Sequence, residues 1–351
     1  MIEGTRILEG MFPQFVTWAE VYSSQEEPPP SPAPSRGSGR IPHFFVSDLD
    51  ADQVVVELKC LAAQVHTIAL RVLMKAVPEL SATQDIAVGY TGSDARGEKL
   101  SKLSPIELVV FTRDKEHPLI GRIHETARNY PRLFFRELEI KAPEDNLLQF
   151  TNTDPNFPQN VPFPSRVLDA RFLGGCNALW QETKGAFLNQ VSTGTATINK
   201  WKSSALGRAV KALKETKEGS TAHGVNLQAG LLTFDDDKIK GVKYPLLRTL
   251  QYKVDLLCLR ALKEGKGEGV LPLSIAERID WLAKSKIHTH GGMDWAKLKK
   301  AYVTLLLMYG ASQEQYAHKK ADTISVDTES LNEMADLVQK FAASEFKFLK
   351  K

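Results

Sequence analysis

Residues 85–111 read DIAVGYTGSDARGEKLSKLSPIELVVF, and the fold turns on them. Ile86, Val88 and Tyr90 alternate with Ala87 and Gly89, which puts the three on one face of a half-buried strand. Thr91-Gly92-Ser93 ends that strand. Gly92 permits a tight turn that a residue with a Cβ adopts only at a cost. Ser93 adds a hydroxyl, and the backbone N–H groups of such a turn can face an anion. A charged segment with Arg96 and Lys99 follows, then a second apolar strand over 106–111. On it Ile106, Leu108 and Val110 share one face, and Pro105, Glu107 and Val109 the other. A strand, a Gly-Ser turn, a basic loop and a second strand with a carboxylate near its start suit a nucleoside triphosphate and its metal.

The Gly-Ser turn followed by a carboxylate on the next strand resembles the nucleotidyltransferase superfamily that includes DNA polymerase β. There Gly-Ser is followed about a dozen residues later by Asp-x-Asp or Asp-x-Glu. In particular it resembles the bacterial uridylyltransferases that modify the PII nitrogen-regulatory protein. It also resembles the nucleotidyltransferase-type proteins that carry a helical substrate-binding domain. Their Arg-Gly-Glu run corresponds to Arg96-Gly97-Glu98, and their Ser-Asp-Ile-Asp-Leu strand to Ser104-Pro105-Ile106-Glu107-Leu108. Downstream, VLDARFLGGCNALWQE over 167–182 is similar to the Leu-Leu-Glu-Ala-Arg-x-x-x-Gly segment that follows the uridylyltransferase core. The resemblance covers residues 50–260, with specific motifs at its two anchors.

It implies an α+β fold: a small mixed-sheet nucleotidyltransferase-like domain over 44–190, then an all-helical, substrate- or partner-binding domain over 191–351. It also implies that Gly92 and Ser93 cradle a nucleoside triphosphate and that Arg96 and Lys99 offset its charge. Glu107 and a carboxylate from a later strand, Glu139, would be catalytic and hold Mg²⁺ or Mn²⁺. One departure stands out. The first carboxylate position is Pro105, which offers no side-chain oxygen to a cation that prefers carboxylate, phosphate and water ligands. Asp94 and Glu98 are the nearby substitutes.

The rest of the chain fits a two-part protein. Its 351 residues are enough for two or three domains, and 42% hydrophobic and 25% charged residues are ordinary for a globular chain. A net charge of +3 is too small to argue for nucleic acid or a membrane surface. Cys60, Cys176 and Cys258 are far apart, without the pairing of a zinc site or disulfide framework. No basic stretch followed by an apolar core opens the chain, and the apolar segment at 302–309 is too short to span a bilayer. The expectation is a cytoplasmic protein with no membrane partner, and self-association into a homo-oligomer stays open.

Residues 1–22, with Phe12, Phe15, Trp18 and Tyr22, read as a docking segment, and the Pro/Ser-rich residues 23–43 as a linker. Ser47 or Asp48 can cap a helix running to residue 77, where Pro78 stops it. Val54, Leu58, Leu61, Val65, Ile68 and Val72 form its core stripe, with His66 beside it as a hydrogen-bonded helix histidine. A helix over 118–129 precedes a strand, FFRELEIKA, on which Glu137 and Glu139 share a side. Residues 146–165 read as a long loop, and Gly174-Gly175 as the opening of a helix bearing Trp180.

A basic amphipathic helix over 197–217 turns Trp201, Leu206, Val210 and Leu213 inward. Leu247, Leu250, Val254, Leu257 and Ala261 are a further core stripe, and three helices follow, near 274–284, 294–309 and 330–348. Asp235-Asp236-Asp237 reads as a capping turn, and His288-x-His290 as a weak metal signal in a loop.

Three functions fit these residues. An active nucleotidyltransferase moves a nucleoside monophosphate to a protein, RNA or small acceptor. A catalytically degenerate relative regulates or scaffolds through partner binding, which Pro105 favours. A nucleic-acid module using the basic helix lacks the interleaved aromatic residues that stack bases.

Overall fold

The computed structural model describes residues 7–25, 49–100, 106–114, 116–130, 133–144, 147–151, 167–192, 196–233, 242–266, 270–285, 287–289, 292–317 and 323–348. The chain opens with α1 (Ile7–Met11), α2 (Pro13–Ser24), α3 (Ala51–Ala76) and a 3-10 turn (Pro78–Ser81). Next come β1 (Ile86–Thr91), the one-turn helix α4 (Gly92–Ala95), β2 (Ile106–Thr112), α5 (Pro118–Asn129), β3 (Phe134–Glu144) and β4 (Leu147–Thr151). After a helical turn at 167–169 follow β5 (Arg171–Gly175), α6 (Asn177–Ser192) and α7 (Ala196–Lys217). The remainder holds β6 (Val225–Asn226), β7 (Leu231–Thr233), a π-turn (Lys243–Leu247), α8 (Arg248–Lys263) and α9 (Ile275–Lys284). It closes with β8 (Ile287–Thr289), α10 (Trp295–Ala317), β9 (Thr323–Ser325), α11 (Thr328–Ala343) and β10 (Phe346–Phe348). The fold is α+β and divides into two compact units.

The first unit, Phe12–Ala33 with Glu57–Ile198, is built on a five-stranded mixed sheet of order β4-β3-β2-β1-β5. Only β2 and β3 run parallel; the other neighbours are antiparallel. All six residues of β1 are buried, so this strand is covered on both faces rather than half-buried. On one face Tyr90 meets His66 of α3, with His66 Nδ1 3.0 Å from Tyr90 Oη. On the other, Trp180 of α6 stacks on Phe111 at 4.5 Å and presses on Gly89, where a Cβ would lie 2.2 Å from the indole and 2.5 Å from the Arg171 carbonyl. Only glycine fits between β5 and that indole.

Helix α3 carries the expected stripe, with Val54, Leu58, Leu61, Val65, Ile68 and Val72 all buried. Its cap is Asp50, whose Oδ1 accepts from the amides of Asp52 and Gln53 at 3.0 Å each; Ser47 and Asp48 lie outside the described residues. Among the described residues α3 is also the single helix long and apolar enough, by length and composition, to cross a membrane. The aromatic N-terminal segment docks on it. Phe12 and Phe15 are buried, and Arg71 of α3 donates to the carbonyls of Tyr22 (2.7 Å), Ser23 (2.6 Å) and Gln25 at the end of α2. A guanidinium there satisfies carbonyls that no helical amide can reach.

Helix α5 spans the residues expected of it, with Pro118 at the first helical position, where a missing N–H costs nothing. Three local expectations change. The supposed loop after residue 146 begins with strand β4, whose apolar Leu147-Leu148 continues the sheet. Gly174-Gly175 ends β5 instead of opening α6, with Gly175 at φ +91°. The buried stripe of α7 is Ala205, Ala209, Ala212, Leu213 and Thr216, with Leu206 and Val210 only half-buried. Small side chains let neighbouring backbone approach, so the stripe rotates toward the alanines.

The second unit is Met1–Met11, Pro34–Val56 and Asn199–Lys351. It is mainly helical, and the stripe from Leu247 to Ala261 is buried. It is not all-helical, since β6-β7-β9 and β8-β10 form two small antiparallel sheets. Three-residue strands are too short to leave a periodic signal. Strand β10 takes the last residues of the expected third helix; α11 stops at Ala343, and Lys253 caps it by donating to the carbonyls of Ala342 and Ser344 at 3.0 Å. Arg278, fully buried, donates to Asp255 at 2.6 Å and to the Pro272 carbonyl at 2.8 Å.

Candidate functional site

The candidate site lies where β1 gives way to α4. Gly92 has φ +79° and Gly97 φ +71°, a backbone region open to glycine without strain. The two glycines bracket one tight turn. Within it the amide of Arg96 donates to the Gly92 carbonyl (3.2 Å), that of Gly97 to Asp94 (3.0 Å) and that of Glu98 to Ser93 (2.8 Å). The amides of residues 96–98 are thus spent on the loop's own carbonyls.

The loop's side chains are engaged in the same way. Lys99 Nζ lies 2.8 Å from Asp94 Oδ1, with both side chains almost wholly buried. That oxygen is in ion-pair contact but outside hydrogen-bond geometry. Arg96 reaches two carboxylates, Glu98 at 2.7 Å and Asp169 at 2.8 Å. Asp169 belongs to the downstream 167–182 block, so this ion pair joins the two sequence anchors across 73 residues. Burial pushes the Asp94 carboxyl above its ordinary range; Lys99 pulls it back, and the negative charge of Glu107 pushes it up again.

Glu107 stands opposite Thr91 in the β1–β2 ladder and is partly exposed. Its Oε2 would lie 2.9 Å from a Cβ at residue 92, so the carboxylate packs over Gly92 itself. Gly92, Ser93, Arg96, Lys99 and Glu107 therefore gather at one end of β1. Glu139 does not share that register. Its Cα pairs with Val110, whereas that of Glu107 pairs with Phe135, which leaves the two glutamates three residues, about 10 Å, apart along β2. Pro105 lies outside the described residues. Among the described residues no three His, Cys, Asp or Glu side chains gather as a metal site. The donor set does not fit a two-metal centre: Pro105 brings no carboxylate, and the two nearby substitutes, Asp94 and Glu98, are committed to Lys99 and Arg96.

Behind the loop, burial raises the Tyr90 phenol to about 12, with the charge of Arg171 opposing and that of Asp94 reinforcing the shift. Burial, then Arg171, holds His66 below its ordinary value, so this histidine is a neutral partner of Tyr90. Asp235, Asp236, Asp237 and His290 lie outside the described residues, and His288 belongs to strand β8, opposite Lys347, instead of a loop.

The pairing of Lys99 with Asp94 was the feature least legible in sequence, because a buried pair and a solvated charged loop have the same composition. The signal available was the placement of Asp94 and Lys99 on either side of Gly97, within a turn that returns the chain on itself. No protein-family model matches the chain, and no curated protein is significantly similar to it.

Proposed function

We propose that this chain is a catalytically degenerate, nucleotidyltransferase-like protein that acts as a regulatory or scaffold protein through partner binding. The observation that carries this reading is the closure of the loop on itself, with Arg96 on Glu98 and Asp169 and Lys99 on Asp94. A triphosphate needs cations to offset its charge. Breaking a buried ion pair costs about 3–5 kcal/mol, while micromolar binding is worth only about 8 kcal/mol. Recruiting both cations to phosphate would cancel most of that affinity. Pro105 removes a metal ligand from the same site.

A second reading rests on Glu107 over the left-handed Gly92. In it the domain binds a nucleoside triphosphate with Mg²⁺ or Mn²⁺ and transfers the nucleoside monophosphate to a protein, RNA or small acceptor. Titration of ATP, GTP, CTP and UTP with and without Mg²⁺ or Mn²⁺, on wild type and Glu107→Ala, separates the two. The degenerate reading expects no metal-dependent binding that Glu107→Ala removes. Metal-dependent binding that disappears in Glu107→Ala overturns it in favour of the second.

A further inference from the structure

The π-turn of the second unit gathers a different set of cations. Pro245, in the middle of Lys243–Leu247, has no N–H to continue an α-helical ladder. The turn instead closes with wider hydrogen bonds, Leu247 N to Val242 O at 3.1 Å and Arg248 N to Lys243 O. This changes which side chains are neighbours. In an α-helix, residues five apart point about 140° away from each other. A bond from residue i+5 back to residue i stacks them instead, so the π-turn brings Arg248 round above Lys243. Such single π-turns recur at functional sites.

Both cations then meet tyrosines. Lys243 Nζ donates to Tyr309 Oη of α10 at 2.9 Å and stands 4.9 Å from the ring centroid. Gln313 Nε2 donates to the same oxygen at 3.0 Å. Arg248 donates through Nη1 to Tyr252 Oη at 3.0 Å, with its guanidinium 5.7 Å from that ring. It also lies near enough to Tyr309 for its charge to oppose the rise that burial imposes on the phenol.

A tyrosine hydroxyl has two acceptor sites and one proton to give. Lys243 and Gln313 fill both acceptor sites on Tyr309, so what remains is its O–H, which meets no acceptor among the described residues. Arg248 likewise holds N–H groups beyond the one given to Tyr252. What the cluster offers is donors and positive charge. Lys243, Arg248, Tyr252, Tyr309 and Gln313 are all partly exposed, so a ligand can reach them from solvent.

We propose that Lys243, Arg248 and Tyr309, aligned by the π-turn, form a binding site for a phosphate group. An ammonium, a guanidinium fork and a phenol O–H converging from two elements match the several oxygens and double charge of a phosphate monoester. This site is independent of the Gly92 loop, and its ligand class does not depend on whether that loop binds nucleotide.

The test is an NMR titration of the full chain, labelled with ¹³C at its eight tyrosines, with inorganic phosphate at constant ionic strength balanced by chloride. The Tyr309 resonance, assigned by its loss in Tyr309→Phe, shifts and saturates. In Lys243→Gln and Arg248→Gln, whose other tyrosine signals report the intact fold, phosphate affinity drops about tenfold or more. Glu107→Ala leaves the titration unchanged, which separates this site from the β1 loop. A Tyr309 resonance that stays still, that follows phosphate without saturating, or that saturates equally in both variants overturns the proposal.

Discussion

Two clusters of cations in this molecule are built in opposite ways. At the β1 loop, Lys99 and Arg96 are set against carboxylates in a buried network. At the π-turn, Lys243 and Arg248 are set against tyrosine hydroxyls in a partly exposed one. The first matches charge with charge, so an incoming anion must displace something. The second places its cations on tyrosine hydroxyls, with the Arg248 guanidinium and the Tyr309 O–H keeping donors beyond those bonds. The Gly-Ser motif thus marks the cluster matched charge for charge, and a segment that reads in sequence only as the start of a core stripe holds the other.

The contrast can be broken most forcefully at Lys99. Lys99→Met strands Asp94 in the interior and is expected to cost about 3 kcal/mol, the low end for breaking a buried pair, because burial already favours the protonated acid. The pH dependence sharpens this. A carboxyl raised above its unfolded value binds a proton in the folded chain that the unfolded chain has released. Stability from this group is therefore fullest at low pH and falls as pH rises through the raised value. Without Lys99 the carboxyl moves further up, so the melting deficit of Lys99→Met shrinks as pH is lowered from neutrality. A deficit that grows on acidification contradicts the pairing.

Gly92→Ala comes next, at about 1–2 kcal/mol for a left-handed backbone carrying a Cβ, added to the displacement of Glu107. Denaturant unfolding reads it, and a loss within error means the loop relaxes out of that turn. Lys243→Met is expected to cost only about 1 kcal/mol, a partly exposed hydrogen bond and cation–π contact, while losing phosphate binding. Equal stability losses at Lys99 and Lys243 would erase the distinction between the clusters. Least of all, Lys214→Ala on α7, which removes an exposed 3.7 Å pair with Glu218 just past the helix end, leaves the melting temperature unchanged.

What the sequence disclosed follows the range of each signal. Strong local periodicity located the α3 stripe, Pro118 located the start of α5, and alternation located β1 and β2. The gathering of Gly92, Ser93, Arg96, Lys99 and Glu107 was legible because all five lie within one strand–turn–strand unit. Features made by distant partners were not. Asp169 reaches Arg96 from 73 residues away, and Trp180 turns β1 from half-buried to enclosed. Strands β8 and β10 exist by pairing with each other, and the π-turn depends on how a helix accommodates Pro245. Composition records that such residues are present; only the fold decides which carboxylate meets which cation.

The most direct test of the central claim is incubation of the purified full chain with α-phosphate-labelled nucleoside triphosphates, with Mg²⁺ and with Mn²⁺, against protein, RNA and small-molecule acceptors. A β1 loop closed by its own ion pairs predicts no label on any acceptor with either metal, and no difference between wild type and Glu107→Ala. Label transferred by wild type and abolished by Glu107→Ala would show that the loop opens to nucleotide and carries out chemistry, and would contradict the account.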